Sequence, residues 1–280
     1  MKIDFPFVSV NQFFRILGCV NGLVCLIDDI GRRTDHVILW NPVIRRSLTL
    51  PNPNIALDYS VHRTVVYGFG YGGFSNDYKI VRFLSPRRNS RGKPLVEIFR
   101  LSRGFWENLD WSGSLPFLDS RQAYVSGAIH WLAEGNLIMA FDVDPEVLRE
   151  VKLPNALQNS PFECLIVAAW CKLLCVFESQ YPGDFCLWVM EDCGMERTWT
   201  RRFVVKSFGI PRWIRSLRKN GEVILVENDN RLVSFDPKTN QVRYSGIQVQ
   251  GSLRAFHMKS YMESLVLLDR VDGVTILQTN

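Results

Sequence analysis

The residues able to do covalent or metal chemistry in this 280-residue chain are four histidines, seven cysteines and a glycine-rich run from Gly68 to Gly73. None of His36, His62, His130 and His257 stands in a His-x-x-x-His or His-Glu-x-x-His arrangement, the spacings that bring two imidazoles to one metal. His130 lies in a dense apolar run beside Trp131, where a structural imidazole between sheets is expected. Cys171 and Cys175 lack the second pair that a structural zinc site uses; on a strand, four apart, they would point to one face and belong to the core. Gly68-Phe69-Gly70 lacks the third glycine and following helix of a dinucleotide fold, and no Gly-x-Ser-x-Gly elbow is present. The expectation is a chain with no catalytic residue, no metal and no cofactor, and not an enzyme.

Binding chemistry is better represented. The formal net charge is +5, and basic residues gather at Arg32 and Arg33, Arg87 to Lys93, Arg201 and Arg202, and Arg212 to Lys219. The densest group is the loop SPRRNSRGKP, whose Arg87, Arg88, Arg91 and Lys93 suit an acidic partner. So mild and dispersed a surplus reads as solvated surface before it reads as a phosphate-binding face, which places nucleic acid behind a protein partner. Tyr181 and Trp111 are the aromatic contacts chosen with them, and Tyr71, Phe74, Trp106 and Trp213 also fall in or near loops. The expected partner-binding set is therefore Arg87, Arg88, Arg91, Lys93, Arg32, Arg33, Tyr181 and Trp111.

Loops of this kind need a scaffold, and its pattern is clearest from Tyr124 to Pro154. Three short apolar runs, Ala128 to Leu132, Leu137 to Phe141 and Val147 to Leu153, are separated by Glu134 to Asn136 and by Asp144-Pro145, after an opening Ser126-Gly127. Runs this short between Gly, Asn, Asp and Pro are antiparallel strands, since none is long enough for a helix at a 3.6-residue period. The meander returns after Asn21-Gly22 and after Asn220-Gly221, and Gly127 to Phe141 and Gly221 to Phe235 are both 14 residues apart. Openings recur roughly every 45 to 55 residues, close to the period of a propeller blade.

The expected fold is a single all-β propeller domain, 1–280, of about six four-stranded blades at residues 11–51, 61–110, 121–154, 162–205, 211–247 and 252–278. The last repeat is one strand short, and the alternating segment 3–10 is expected to supply its outer strand and so close the ring. Trp40, Phe141 and Phe235 hold matching positions, with Phe99 and Trp188 on the corresponding strands of two further repeats, as packing between adjacent sheets requires. Two stacked β-domains split near Pro154 form the competing architecture.

With 47% apolar and 22% charged residues, the chain has the composition of a folded globular protein rather than a disordered one. No run of 18 apolar residues offers a membrane span, and MKIDFPFVSV has no secretory h-region. The cysteines are odd in number and sit mostly inside apolar runs, and no glycosylation sequon occurs, so reduced thiols and a cytoplasmic or nuclear location are expected.

The blocks GCVNGLVCL, ILWNPVIRRSLTLP, VYGFGYGGFSNDYKIVRF, VSGAIHWLA, IMAFDVDPEVLREVKLP and YMESLVLL run in that order from Gly18 to Leu268. Together they resemble the plant F-box-associated domain. The resemblance implies a kelch-like propeller that recruits proteins to a ubiquitin ligase of the Skp, cullin and F-box type. An F-box would precede it as a Leu/Pro-rich helical segment, and MKIDFPFVSVNQFFRIL does not read as one. The expected function is therefore protein binding in a chain without an F-box, toward an unidentified target, with the Skp adaptor a partner only where the full-length protein carries an F-box. A propeller binding nucleic acid or another acidic ligand is the alternative, and a propeller hydrolase stands behind it.

Overall fold

The computed structural model describes residues 6–10, 14–28, 36–56, 62–86, 94–111, 121–180, 184–193, 196–205, 212–250, 258–266 and 275–278. Blade 1 contains β1 (Arg15–Val20), β2 (Leu23–Asp28), β3 (His36–Asn41) and β4 (Arg46–Thr49). Blade 2 contains β5 (His62–Gly72), β6 (Asp77–Pro86), β7 (Leu95–Arg100) and β8 (Trp106–Leu109). Blade 3 contains β9 (Ala123–Val125), β10 (Ala128–Ala133), β11 (Leu137–Asp142) and β12 (Val147–Lys152). Blade 4 contains β13 (Leu165–Trp170), β14 (Leu173–Gln180), β15 (Asp184–Cys193) and β16 (Glu196–Val205). Blade 5 contains β17 (Arg212–Leu217), β18 (Val223–Glu227), β19 (Arg231–Asp236) and β20 (Gln241–Gln248). Each is an antiparallel meander in sequence order, and β21 (Thr275–Gln278) pairs with β4 as a fifth strand of the first sheet.

The turn chemistry explains the meanders. Asn21 (φ 46°) with Gly22 (φ 80°), and Ser126 (φ 48°) with Gly127 (φ 80°), place both central residues of a two-residue hairpin in the left-handed region. That is the type I′ geometry whose twist matches the flanking strands.

Packing between sheets supplies the core. Phe69 and Phe99 of blade 2 join Leu23, Cys25 and Leu39 of blade 1, and Trp131 and Phe141 of blade 3 join Val66 and Phe83 of blade 2. Leu132 and Ile138 meet Leu165 and Val176 of blade 4, with Leu153 and Leu157 in the same cluster. This cluster runs across Pro154 and leaves no boundary between two domains there. Phe235 and Leu225 of blade 5 meet Phe177 and Leu187 of blade 4. The matching aromatics thus share one job: Phe99, Phe141 and Phe235 each fill the seam with the preceding sheet, and Trp188 lies partly buried at the corresponding seam of blade 4.

The blade count differs from the expected six: five four-stranded blades form among the described residues. Where a sixth would stand, residues 258–266 run as irregular chain between blades 5 and 1. Met258 packs on Ile224, Val226 and Leu232 of blade 5, Tyr261 packs on blade 1, and Asn41 Nδ2 donates to Ser264 O (3.0 Å) and Val266 O (2.9 Å).

Closure by an N-terminal outer strand is also not what forms. Residues 6–10 make no strand, and residues 3–5 of the expected strand lie outside the described residues. The alternation is present, but it turns Phe7 onto Phe14 (6.0 Å between centroids) and Trp40 (5.6 Å), while Ser9 Oγ and the Val10 N–H donate to Asp28. Pro6 brings no N–H to a ladder. The apolar face that blade 1 turns away from blade 2, carrying Val24, Leu26, Ile38 and Trp40, is covered by Phe7, Phe14 and Tyr261. Two irregular segments therefore meet the burial demand a further sheet would have met.

Candidate functional site

The first strand of every blade lies next to the ring axis, where β1 meets β5, β9 meets β13 and β13 meets β17. Each begins at the end here termed the upper face. Arg15 opens β1, Arg121 and Gln122 immediately precede β9, and Arg215 occupies the bulge of β17 between Ile214 and Ser216. Gln122 ties blade 3 to blade 2 by accepting from Phe69 N (2.5 Å) and donating to Phe69 O (3.0 Å). Arg121 Nη1 reaches past blade 4 to Ile214 O on blade 5 (3.1 Å), and Lys259 Nζ from the irregular segment donates to Gln122 O (3.2 Å). Arg121, Arg215 and Lys259, all half-buried, are thereby drawn together from two sheets and from the segment between blades 5 and 1.

Their charges act on one another. Burial, then Arg121, pushes the Lys259 ammonium down to about 8, with Cys19 pulling it up and Arg15 lowering it further. Burial, then Arg121, lowers Arg215 to about 10, and burial lowers Arg121 itself. The neighbouring Cys19 thiol is pushed up to about 11 by burial, against Lys259. Guanidinium and ammonium groups are pure donors, so the arrangement is suited to holding a group with acceptor oxygens.

Of the sequence-expected binding residues, Arg32, Arg33, Arg87, Arg88, Arg91, Lys93 and Tyr181 lie outside the described residues. Trp111 is half-buried against the seam of blades 2 and 3. Trp106 is no loop anchor: it is buried at 2% exposure, and its Nε1 donates to Pro51 O (2.9 Å). Phe74 is fully exposed on the opposite, lower face, in a turn held by Asp144 of blade 3 through Phe74 N, Ser75 N and Ser75 Oγ. Cys171 is also not core. It sits exposed at φ 55° in the β13–β14 turn, while Cys175 is buried, because the chain reverses between the two.

Of the axial cations only Arg215 falls in a basic group of the sequence, Arg212 to Lys219; Arg15, Arg121 and Lys259 were not singled out. The signal available was positional: Arg15 and Arg121 each stand where an inner strand begins, which shows only once repeats are aligned on that strand rather than on their glycines.

His130 is buried, with Nδ1 3.3 Å from Ala123 O. Burial first, then Arg149, holds the imidazole down to about 4, with Asp142 opposing. A histidine whose folded value lies below its unfolded one costs nothing above about pH 6.5, and stability is lost as pH falls from there toward 4. The loss approaches on the order of 3 kcal/mol. Urea midpoints measured from pH 7.5 to 4 should therefore fall more steeply for the natural chain than for His130→Gln. Equal slopes would place the acid-sensitive group elsewhere.

A ring of four-stranded antiparallel meanders with their first strands innermost is a β-propeller. The chain matches the F-box associated beta propeller domain over residues 2–271 and belongs to that family. Among relatives in Arabidopsis thaliana, F-box protein At3g07870 is 25% identical over 96% of this chain and 74% of its own length. F-box protein CPR1 is 27% identical over 90% of this chain and 68% of its own length. F-box/kelch-repeat protein At3g23880 is 24% identical over 84% of this chain and 64% of its own length. Likeness to solved structures is slight; the Dos1 propeller aligns over 88% of this chain and 70% of its own at a TM-score of 0.39 and 8% identity.

Proposed function

We propose that this propeller is the target-recognition part of a ubiquitin-ligase receptor, acting in the cytosol or nucleus. It binds a protein non-covalently and leaves ubiquitin transfer to other components. The observation that carries the reading is family membership over residues 2–271, with relatives that are F-box proteins. The scaffold suits the role, because loops borne on interlocked sheets meet a partner with little ordering cost. In this reading the loop with Arg87, Arg88, Arg91 and Lys93 favours acidic targets, and the Skp adaptor is met only where the full-length protein carries an F-box.

The test is affinity capture of the tagged full-length protein from its native source, with and without residues 14–278. Deletion is expected to abolish recovery of a target whose abundance rises when the gene is silenced, while adaptor recovery persists. Target recovery that survives the deletion would overturn the reading.

A further inference from the structure

We propose that the upper axial opening is an anion site, and that an acidic side chain of the target, phosphorylated or carboxylate, fills it. This deepens the recognition reading and rests on it. Elsewhere in the molecule a buried cation is answered by a carboxylate: Arg82 by Glu97, Arg100 and Lys79 by Glu146. At the axis the arrangement differs. The described contacts give Arg121 one backbone carbonyl, Ile214 O, and Lys259 one, Gln122 O. A guanidinium carries five donors and an ammonium three, so donors remain on both.

Arg15 lowers Lys259 and Arg121 lowers Arg215, so these cations lie within electrostatic reach of one another. A positive field built from three sheets is strongest at their shared centre, and an oxyanion with several acceptors satisfies donors that converge from different blades. The arrangement favours a protein side chain over a nucleic acid. Nucleic acid needs cations spread along a groove that follows its backbone, whereas here Arg121 and Lys259 are drawn together about the inner strands.

Sulfate is the first probe, because it keeps its charge across the pH range used. Added sulfate should raise the melting temperature of the chain beyond chloride of equal ionic strength, with saturation. Lys259→Met and Arg215→Gln should each weaken it by at least about tenfold, as loss of a charge-assisted hydrogen bond would. Sulfate affinity should also fall several-fold between about pH 7 and 9 as Lys259 releases its proton near 8, while the Cys19 thiol, pushed up to about 11, stays neutral. Lys259→Met should remove that dependence.

Neutral short peptides bearing one phosphoserine or two adjacent glutamates then distinguish the sources of the anion, and the better of them should displace sulfate. A single-stranded oligonucleotide that displaces it at lower concentration than either would overturn the peptide as occupant. Sulfate and chloride acting alike, or Lys259→Met without effect, would overturn the site. That failure is separable from failure of the recognition role: without an anion site the full-length protein still captures its target through the propeller, whereas capture that survives deletion of residues 14–278 removes the role whatever sulfate does.

Discussion

Glu97→Ala is expected to destabilise the chain by about 3–5 kcal/mol, the cost of stranding a buried charge. Glu97 and Arg82 are directly opposed on β7 and β6, both side chains are wholly buried, and Arg82 Nη1 donates to Glu97 Oε2 at 2.5 Å. The pair also grips the crossing from blade 1 to blade 2, since Glu97 Oε1 accepts Ile55 N (3.0 Å) and Arg82 Nη1 donates to Ile55 O (2.8 Å). Removing the carboxylate takes from the buried Arg82 guanidinium its directly opposed charge and frees the strap at Ile55. Urea unfolding followed by tryptophan fluorescence should show the lower midpoint. Arg82→Met with Glu97→Leu should recover much of the loss, because an apolar pair of similar volume needs no buried ion pair at this point of the seam. A single variant within about 0.5 kcal/mol of the natural chain would show that the pair is hydrated, contrary to its place in the seam.

Much of this architecture was legible from residue order. Short apolar runs punctuated by Asn-Gly and Ser-Gly mark two-residue hairpins, and aromatic residues at equal distances after them mark the seams, because both are local requirements of a repeated unit. The count of blades was harder, because apolar runs near the C-terminus resemble strands whether or not they pair. Tyr261 and Met258 bury themselves on existing sheets as irregular chain, and burial alone does not reveal a hydrogen-bonding partner. The N-terminal alternation has the same ambiguity: Phe7 faces inward while Val8 is 93% exposed, as in a strand, yet the segment caps a sheet face.

The axial cations were hidden for a different reason. Arg121, Arg215 and Lys259 are far apart in sequence and are joined only by ring closure, so charge clustering along the chain pointed instead to the arginine-rich loop. Ring closure thereby makes the proposed anion site depend on blades 1, 3 and 5 together, and so on the integrity of every seam between them.

At Gly68 the seam between blades 2 and 3 closes tightly, and Gly68→Ala is expected to destabilise the chain although it adds a single methyl. Glycine to alanine ordinarily stabilises by restricting the unfolded chain, by about 0.4–1 kcal/mol. Here the added Cβ would lie 2.0 Å from Trp131 Cζ2 and 3.0 Å from Ile129 Cγ2, so the neighbouring sheet must move. The indole has little freedom to yield: it is fully buried, its Nε1 donates to Tyr67 O at 3.0 Å, and Phe83 stands edge-on to it at 5.2 Å. Overpacking of this kind costs about 1–3 kcal/mol, and Trp131→Ala, which opens the opposite defect, about 3–5 kcal/mol. Combining Gly68→Val with Trp131→Ala places new methyls in the vacated space. The double variant should therefore be more stable than the sum of the singles predicts, with a coupling on the order of 1–3 kcal/mol in a urea-denaturation cycle. Strict additivity would mean that β5 and β10 do not meet at this point, and the order of blades around the axis would have to be redrawn.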